Sequence, residues 1–199
     1  MKFYLRWYRI AKPILKFFYR VKVVGAENEP DAPYIVYANH SSFIDPMLIA
    51  VSLRAPIRYA AKEQLFKIPV VGWFLRKLKV IMLKRDGRDM SGIREMLKAL
   101  SDGQSIGIFP QGTRKPFIIP AKDDALVGFA AIATMSKATL LPATIVTSRL
   151  KPGIFRKTTI VIGQPITYQQ YTGFKDDPSR REIADYCFES VVKPLEALK

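Results

Sequence analysis

From residue 21 onward the chain alternates between short strand-like apolar runs and segments with helical periodicity, and this order limits the possible folds more than any other feature. The strand candidates are Val21–Gly25, Tyr34–Ala38, Pro56–Ala60, Val80–Lys84, Ser105–Phe109, Leu140–Thr147 and Thr158–Gly163. The helix candidates are Pro46–Leu53, Ile68–Leu78, Gly92–Leu100, Ala125–Lys137 and Pro178–Leu198. In the last of these, Asp177-Pro178 reads as an N-cap followed by a proline at the first helical position. Strands separated by helices pair in parallel, with the helices covering the faces of the sheet. The expected fold is therefore α/β: a mixed, largely parallel sheet flanked by helices, with an N-terminal amphipathic membrane-interface helix.

At 199 residues and 49% hydrophobic, the chain suits one folded domain with a substantial core. No internal repeat, low-complexity tract or linker divides it. The expected organisation is a membrane-associating helix over residues 1–20 and a single domain over 21–199. Seventeen residues, Thr158 to Phe174, form the longest stretch free of Lys, Arg, Asp and Glu, and they include three glutamines, a proline and two glycines. That is short of the roughly 18 needed to span a bilayer. Charges also interrupt every would-be apolar core of a cleavable signal peptide near the N-terminus.

Thirty-two Lys and Arg stand against seventeen Asp and Glu, a net charge of +15. Such an excess favours phosphate-bearing partners: nucleic acid, anionic lipid or phosphorylated metabolites. Cys187 is the only cysteine and His40 the only histidine, which excludes an internal disulfide and a Cys-cluster metal site. No metal site is expected.

Residues 1–20 sharpen the choice of partner. On a helix turning about 100° per residue, Lys2, Arg6, Arg9, Lys12, Lys16 and Arg20 fall within an arc of about 120°. Phe3, Trp7, Ile10, Ala11, Ile14, Phe17 and Phe18 occupy the opposite face, joined by Tyr4, Tyr8 and Leu15. A basic face opposed to an aromatic-rich one suits an anionic membrane surface. Pro13 falls on the polar side, where a kink leaves the pattern intact. The competing reading is a helix that packs its apolar face on the domain and leaves its cations in water. An RNA-binding basic helix is the weaker third reading, since the interleaved aromatics match no RNA motif.

Three constellations could carry chemistry. Asn39-His40 follows the apolar run Tyr34–Ala38, where α/β sheets place reactive groups, and Asp45 lies five residues on. The two cannot pair on one continuous helix, because five residues turn about 140°. They can pair if His40 stays in a loop and Asp45 reaches back from the start of a helix. Asp45 would then fix the imidazole tautomer and leave the other nitrogen as a base. Its structural alternative is helix capping, for which Asp-Pro is well suited. The second constellation is Phe109-Pro110-Gln111-Gly112-Thr113-Arg114, where Gly112 allows close backbone approach to an anion and Arg114 adds a bidentate phosphate donor. The third is Lys84-Arg85 at the end of the run Val80–Leu83. If that run neighbours Ser105–Phe109 in the sheet, Arg85, Arg114 and His40 share one crevice. A solvated turn and a solvated charge run are the alternatives for these two.

Gly103-Gln104-Ser105-Ile106-Gly107 matches the nucleophile elbow G-x-S-x-G. That motif places its serine between a strand and a helix and its histidine later in the chain. Ser105 instead opens an apolar run, and no histidine follows residue 40.

Together the blocks resemble the lysophosphatidic acid acyltransferase (1-acyl-glycerol-3-phosphate acyltransferase) family of the glycerolipid acyltransferase superfamily. Asn39-His40 through Asp45 matches its N-H-x-x-x-x-D block, and Phe109 to Arg114 matches F-P-E-G-T-R at five of six positions. Lys79-Val80-Ile81-Met82-Leu83-Lys84-Arg85 is similar to its second block, and Leu140-Leu141-Pro142-Ala143 to its fourth. Lys62 through Arg76 looks like the link into the second block. Two departures stand out: Gln111 replaces the usual glutamate, and Lys79 stands where glycine is usual. Residues 121–127 also lack the customary glycine–alanine pattern.

The resemblance implies acyl transfer from an acyl thioester to the free sn-2 hydroxyl of lysophosphatidic acid, giving phosphatidic acid in phospholipid biosynthesis. It implies His40 as the base, Asp45 as its orienting partner, and Arg85 and Arg114 as ligands of the acceptor phosphate. Asn39, Gln111, Gly112, Thr113 and Pro142 would shape the site. Acyl-coenzyme A or acyl carrier protein would enter as co-substrate, with no other cofactor, and the enzyme would sit peripherally on the cytoplasmic face of a membrane. Nucleic acid is not an expected partner. The alternatives are another acceptor, such as glycerol 3-phosphate or a lyso-aminolipid, and a non-catalytic basic membrane- or nucleic-acid-binding protein.

Overall fold

The computed structural model describes residues 2–84 and 90–197. Among them, seven strands form one sheet: β1 (Val21–Val24), β2 (Tyr34–Ala38), β3 (Ile57–Lys62), β4 (Ile81–Leu83), β5 (Ser105–Ile108), β6 (Thr139–Thr147) and β7 (Thr158–Ile162). Their order across the sheet is β1-β7-β6-β2-β5-β3-β4. Five strands, β2 to β6, run the same way, whereas β7 pairs antiparallel with β6 and β1 follows β7. The sheet is thus mixed and largely parallel, as expected. The expected neighbourhood of residues 80–84 and 105–109 is not found, because β3 lies between β4 and β5.

The strand β2 reads Tyr-Ile-Val-Tyr-Ala because both of its faces are buried. Ile35 and Tyr37 face a core closed by α5 (Ser91–Ser101), α6 (Val127–Ser136) and α8 (Arg180–Glu196). Tyr34, Val36 and Ala38 face a second core that includes Leu48, Ile49 and Ala50 of α2 (Asp45–Ala50). The result is a helix–sheet–helix sandwich with a core on either side of one sheet.

Two helix starts differ from expectation. The last helix begins after Ser179, not at Asp177-Pro178. Asp177 takes a left-handed φ of 43°, outside the range a capping residue uses. Ser179 Oγ accepts the Glu182 N–H, and Glu182 Oε2 accepts the Ser179 N–H at 2.9 Å, so two otherwise orphaned donors are satisfied. The helix α7 (Tyr168–Gly173) was not expected, although Thr167 and Gln170 form the same box at its start. The helix expected at residues 68–78 is α4 (Pro69–Lys77), and a short α3 (Glu63–Phe66) that was not expected precedes it.

The helix α1 (Lys2–Phe18) runs through Pro13 and divides its apolar side in two. Tyr4, Tyr8, Leu15 and Tyr19 turn inward. Tyr4 Oη accepts the Ile57 N–H at 3.2 Å, Tyr8 Oη donates to the Leu53 carbonyl at 3.0 Å, and Leu15 and Tyr19 pack on the second core. Phe3 and Trp7 meet Trp73 and Phe74 of α4 edge to face. Ile10, Ile14 and Phe17 remain exposed. The packing reading therefore holds for the inner stripe, while the outer stripe of the same helix stays open to solvent. Among the described residues, no helix is long and apolar enough to cross a membrane.

Candidate active site

The C-terminal ends of the five co-directional strands form one edge of the sheet, the usual location of ligand crevices in α/β folds. Two segments meet there: residues 39–45, following β2, and residues 109–115, following β5. Asn39 fixes the first. Its side chain takes both backbone polar groups of Ile145, accepting the N–H at 2.8 Å and donating to the carbonyl at 3.2 Å. It can do so because β6 extends past the end of β2, whose Ala38 pairs with Ala143.

His40 then stands in the loop, and Asp45 opens α2 and reaches back. His40 Nδ1 lies 2.9 Å from Asp45 Oδ2, which also accepts the N–H groups of Ser41 at 2.6 Å and Ser42 at 2.7 Å. Three donors converge on one oxygen of a fully buried carboxylate. Asp45 thus folds the loop as well as orienting the ring, and it caps no helix N–H of its own. With Nδ1–H donated to Asp45, a neutral imidazole carries its lone pair on Nε2. The His40 side chain is 18% exposed, so that nitrogen is close to solvent without being free in it.

The second segment clasps His40 from the other side. Gln111 Oε1 accepts the His40 N–H at 2.7 Å, and the His40 carbonyl accepts the Lys115 N–H at 2.7 Å. The Phe109 ring stacks on the imidazole, with centroids 4.1 Å apart and planes 22° apart, and Tyr59 of β3 stacks behind Phe109. The Tyr59 hydroxyl is buried without a hydrogen-bond partner among the described residues. Burial above all, with Tyr4, Tyr34 and Asp45 nearby, pushes its phenol well above the ordinary range.

Gly112 adopts a left-handed φ of 63°, which a Cβ would disfavour, and its N–H closes a turn onto the Phe109 carbonyl at 3.0 Å. Thr113 and Arg114 are exposed beyond that turn. The Arg114 guanidinium carbon sits 3.4 Å from the centroid of the Phe43 ring, a cation–π contact that brings it back over the 39–45 loop.

The structure thus brings together Asn39, His40, Asp45, Gln111, Gly112 and Arg114. Pro142 does not reach the edge. It is buried in the sheet opposite Tyr37, and its carbonyl accepts the Gly163 N–H at 2.9 Å. Arg85 lies outside the described residues. Ser105 begins β5 at the opposite edge, where its Oγ accepts the Tyr34 N–H at 3.2 Å, a structural bond and not a nucleophile elbow. Phe43 and Phe109 were not singled out from the sequence, although both fall inside the two blocks that were.

Lys79 has a left-handed φ of 57°, so the position favours the glycine that the resemblance leads one to expect there.

The profile of the acyltransferase family matches residues 20–146, well over half of the chain and all of the two segments at the site. The chain belongs to the acyltransferase family. This acyltransferase is 33% identical over 168 residues to the 1-acyl-sn-glycerol-3-phosphate acyltransferase of Bacillus subtilis, covering 82% of this chain and 81% of that one. It is 30% identical over 164 residues to the chloroplastic 1-acyl-sn-glycerol-3-phosphate acyltransferase LPAT1 of Arabidopsis thaliana. There the match covers 75% of this chain and 44% of the longer plant protein. In structure the acyltransferase resembles PlsC, the 1-acyl-sn-glycerophosphate (LPA) acyltransferase of Thermotoga maritima. The TM-score is 0.72 at 30% identity, over 99% of this chain and 78% of that one.

Proposed function

We propose that this acyltransferase moves a fatty acyl chain from an acyl thioester, acyl-coenzyme A or acyl carrier protein, to the sn-2 hydroxyl of lysophosphatidic acid, giving phosphatidic acid. The observation that carries the reading is the His40–Asp45 pair at the strand edge, with Nδ1 held 2.9 Å from the carboxylate. His40 Nε2 removes the hydroxyl proton as the oxygen attacks the thioester carbonyl. The tetrahedral intermediate collapses, the carbon–sulfur bond breaks, and the imidazolium returns the proton to the leaving thiolate. Such general acid–base work contributes about 10²–10⁴ in rate. Asp45 keeps the ring in the right tautomer and stabilises the imidazolium. Arg114 and Arg85 hold the acceptor phosphate, so that the hydroxyl meets the base in a fixed position. The Gln111–His40 bond sets the height of the base, while Asn39, Gly112 and Thr113 shape the loops around it.

The chemistry draws on no cofactor beyond the acyl donor and on no metal. Residues 1–20 form the membrane-associating helix and 21–199 the acyltransferase domain, placed peripherally on the cytoplasmic face of an anionic membrane. Nucleic acid is not a partner in this reading.

The test is thiol release from palmitoyl-coenzyme A and from palmitoyl-acyl carrier protein by the purified protein, with and without lysophosphatidic acid in detergent micelles. Acceptor-dependent release that falls by about 10²–10⁴ in His40→Ala is the expected result. Release that ignores the acceptor, or that survives the substitution, would sink the proposal. Release only with glycerol 3-phosphate or a lyso-aminolipid would keep the chemistry and change the acceptor.

A further inference from the structure

The topology places more than His40 on the C-terminal edge of the sheet. The last residue of β6, Thr147, pairs with the first of β7, Thr158, so residues 148–157 project from that same edge. The helix α1 ends there too. Its Phe18 carbonyl accepts the Phe155 N–H at 2.6 Å, and the Tyr19 carbonyl accepts the Thr158 N–H at 3.1 Å. The rings of Phe17, Phe18 and Phe155 meet one another at 5.4–6.4 Å. Yet Phe17 is 70% exposed, and Ile154 and Phe155 are each 60% exposed. Two distant segments are tied together to present an aromatic cluster to solvent.

That cluster continues toward the base. Lys151 Nζ lies 5.2 Å from the ring of Phe117, which with Ile118 is exposed just beyond the segment that clasps His40. Phe117 and Phe155 both hold left-handed φ angles, 66° and 60°, a conformation costly for bulky side chains. Strained aromatics held outward need a reason, and the domain core does not supply one. The charge does. Arg149, Lys151, Arg156 and Lys157 fall within the one loop that carries Ile154 and Phe155, and Lys16 and Arg20 bracket Phe17–Phe18 in the chain. Apolar tips flanked by cations complement an anionic bilayer surface: headgroups meet the cations and acyl chains meet the tips.

We propose that the 148–157 hairpin loop, with Phe17–Phe18 and Phe117–Ile118, is a second membrane anchor. Together these residues turn the catalytic edge of the sheet toward an anionic leaflet. Helix α1 alone does not fix that orientation, because its inner stripe is spent on the domain and it runs from the Ile57 edge of the sheet to the Phe155 edge. The inference rests on the acyltransferase reading only for the benefit gained: an acceptor and product that stay in the lipid reach a base at the docked edge.

The experiment is sedimentation with vesicles of equal parts phosphatidylcholine and phosphatidylglycerol, and with phosphatidylcholine alone. The full chain is compared with I154S/F155S and with M135S. Met135 is 48% exposed near the end of α6, on the opposite edge. Exposed positions tolerate such changes, and thermal melts followed by circular dichroism establish that all three share a fold. Preferential binding to the anionic vesicles, reduced about tenfold or more in I154S/F155S and unchanged in M135S, is the expected result. Equal binding by wild type and I154S/F155S would overturn the proposal, as would a fall in both variants. So would a wild type that ignores vesicles but becomes monomeric from a dimer on I154S/F155S substitution, which would give the face to a second copy of the chain. None of these readouts requires acyl transfer, so failure with lysophosphatidic acid would remove the acceptor and leave the surface.

Discussion

Gln111 Oε1 accepts the backbone N–H of His40 at 2.7 Å, so the block after β5 sets the position of the base that follows β2. The substitution of glutamine for the family's usual glutamate therefore falls on a positioning contact that an amide oxygen makes as well as a carboxylate oxygen. Gln111→Glu is expected to retain near wild-type kcat and KM for lysophosphatidic acid. Gln111→Ala leaves the half-buried N–H unpaired, at a cost of about 1–3 kcal/mol. It is expected to lower kcat about tenfold or more with little change in KM, since each 1.4 kcal/mol on the barrier is about tenfold. Steady-state kinetics of the pair decides. A severe loss in Gln111→Glu would mean that the amide nitrogen meets substrate.

Asp45 is both orienter and loop former, and two substitutions separate the roles. Asp45→Asn keeps an acceptor oxygen for Ser41 and Ser42 but cannot support the imidazolium, so kcat should fall about 10²–10⁴ while the fold survives. Asp45→Ala also orphans the two N–H groups and should lower the urea midpoint as well. Equal midpoints for both variants would argue against the loop-forming role.

The dyad was legible because its two parts sit on either side of a turn that the apolar run Tyr34–Ala38 must enter. Five-residue spacing then leaves a loop-to-helix geometry as the way to pair them. The sheet order was not legible. Parallel strands need crossovers, but nothing in the run Ile81–Leu83 says that Ile57–Lys62 will separate it from Ser105–Ile108. Choice of neighbour is made by packing between segments far apart in sequence. The amphipathic pattern of residues 1–20 gave the helix but not the division of its apolar side, which depends on Leu53 and Ile57 arriving opposite Tyr8 and Tyr4. At the last helix, proline chemistry suggested Asp177-Pro178, while the reciprocal bonds of Ser179 and Glu182 decided the start.

The guanidinium carbon of Arg114 lies 3.4 Å from the centroid of the Phe43 ring, which holds the cation over the 39–45 loop. If it binds the acceptor phosphate, Arg114→Lys loses the bidentate fork and the close guanidinium contact with the Phe43 ring together. KM for lysophosphatidic acid should rise about tenfold, as expected for losing one charge-assisted bond of about 1.5–3 kcal/mol, with KM for the acyl donor unchanged. Phe43→Ala should give a smaller rise in the same constant. A change confined to the donor's KM would reassign the arginine.

Lys79 holds φ at 57° where the family favours glycine. The left-handed conformation costs a side-chain-bearing residue about 1–2 kcal/mol, partly offset by the extra chain entropy glycine loses on folding. Lys79→Gly is therefore expected to stabilise by up to about 1 kcal/mol and Lys79→Ala to give no such gain. Urea midpoints at constant m-value test this, and a gain in the alanine variant would trace the strain to the lysine charge instead.

The start of α8 carries a pH signature. The Glu182 carboxyl is held down to about 2, against an ordinary 4.5, first by Lys175 and then by the hydroxyl and backbone N–H of Ser179. A carboxyl whose folded value is depressed adds stability that is present in full above the unfolded value near 4.5 and is lost as pH falls toward 2. Urea midpoints of wild type and Glu182→Gln should therefore differ most at neutral pH and draw together between these limits. Ser179→Ala removes the cap itself and costs about 1 kcal/mol. Its deficit should persist at low pH, because a neutral Glu182 leaves the hydroxyl's bond to the helix N–H intact. A gap between wild type and Glu182→Gln that stays constant down to pH 2 would assign the residue's contribution to side-chain shape and remove the role of its charge.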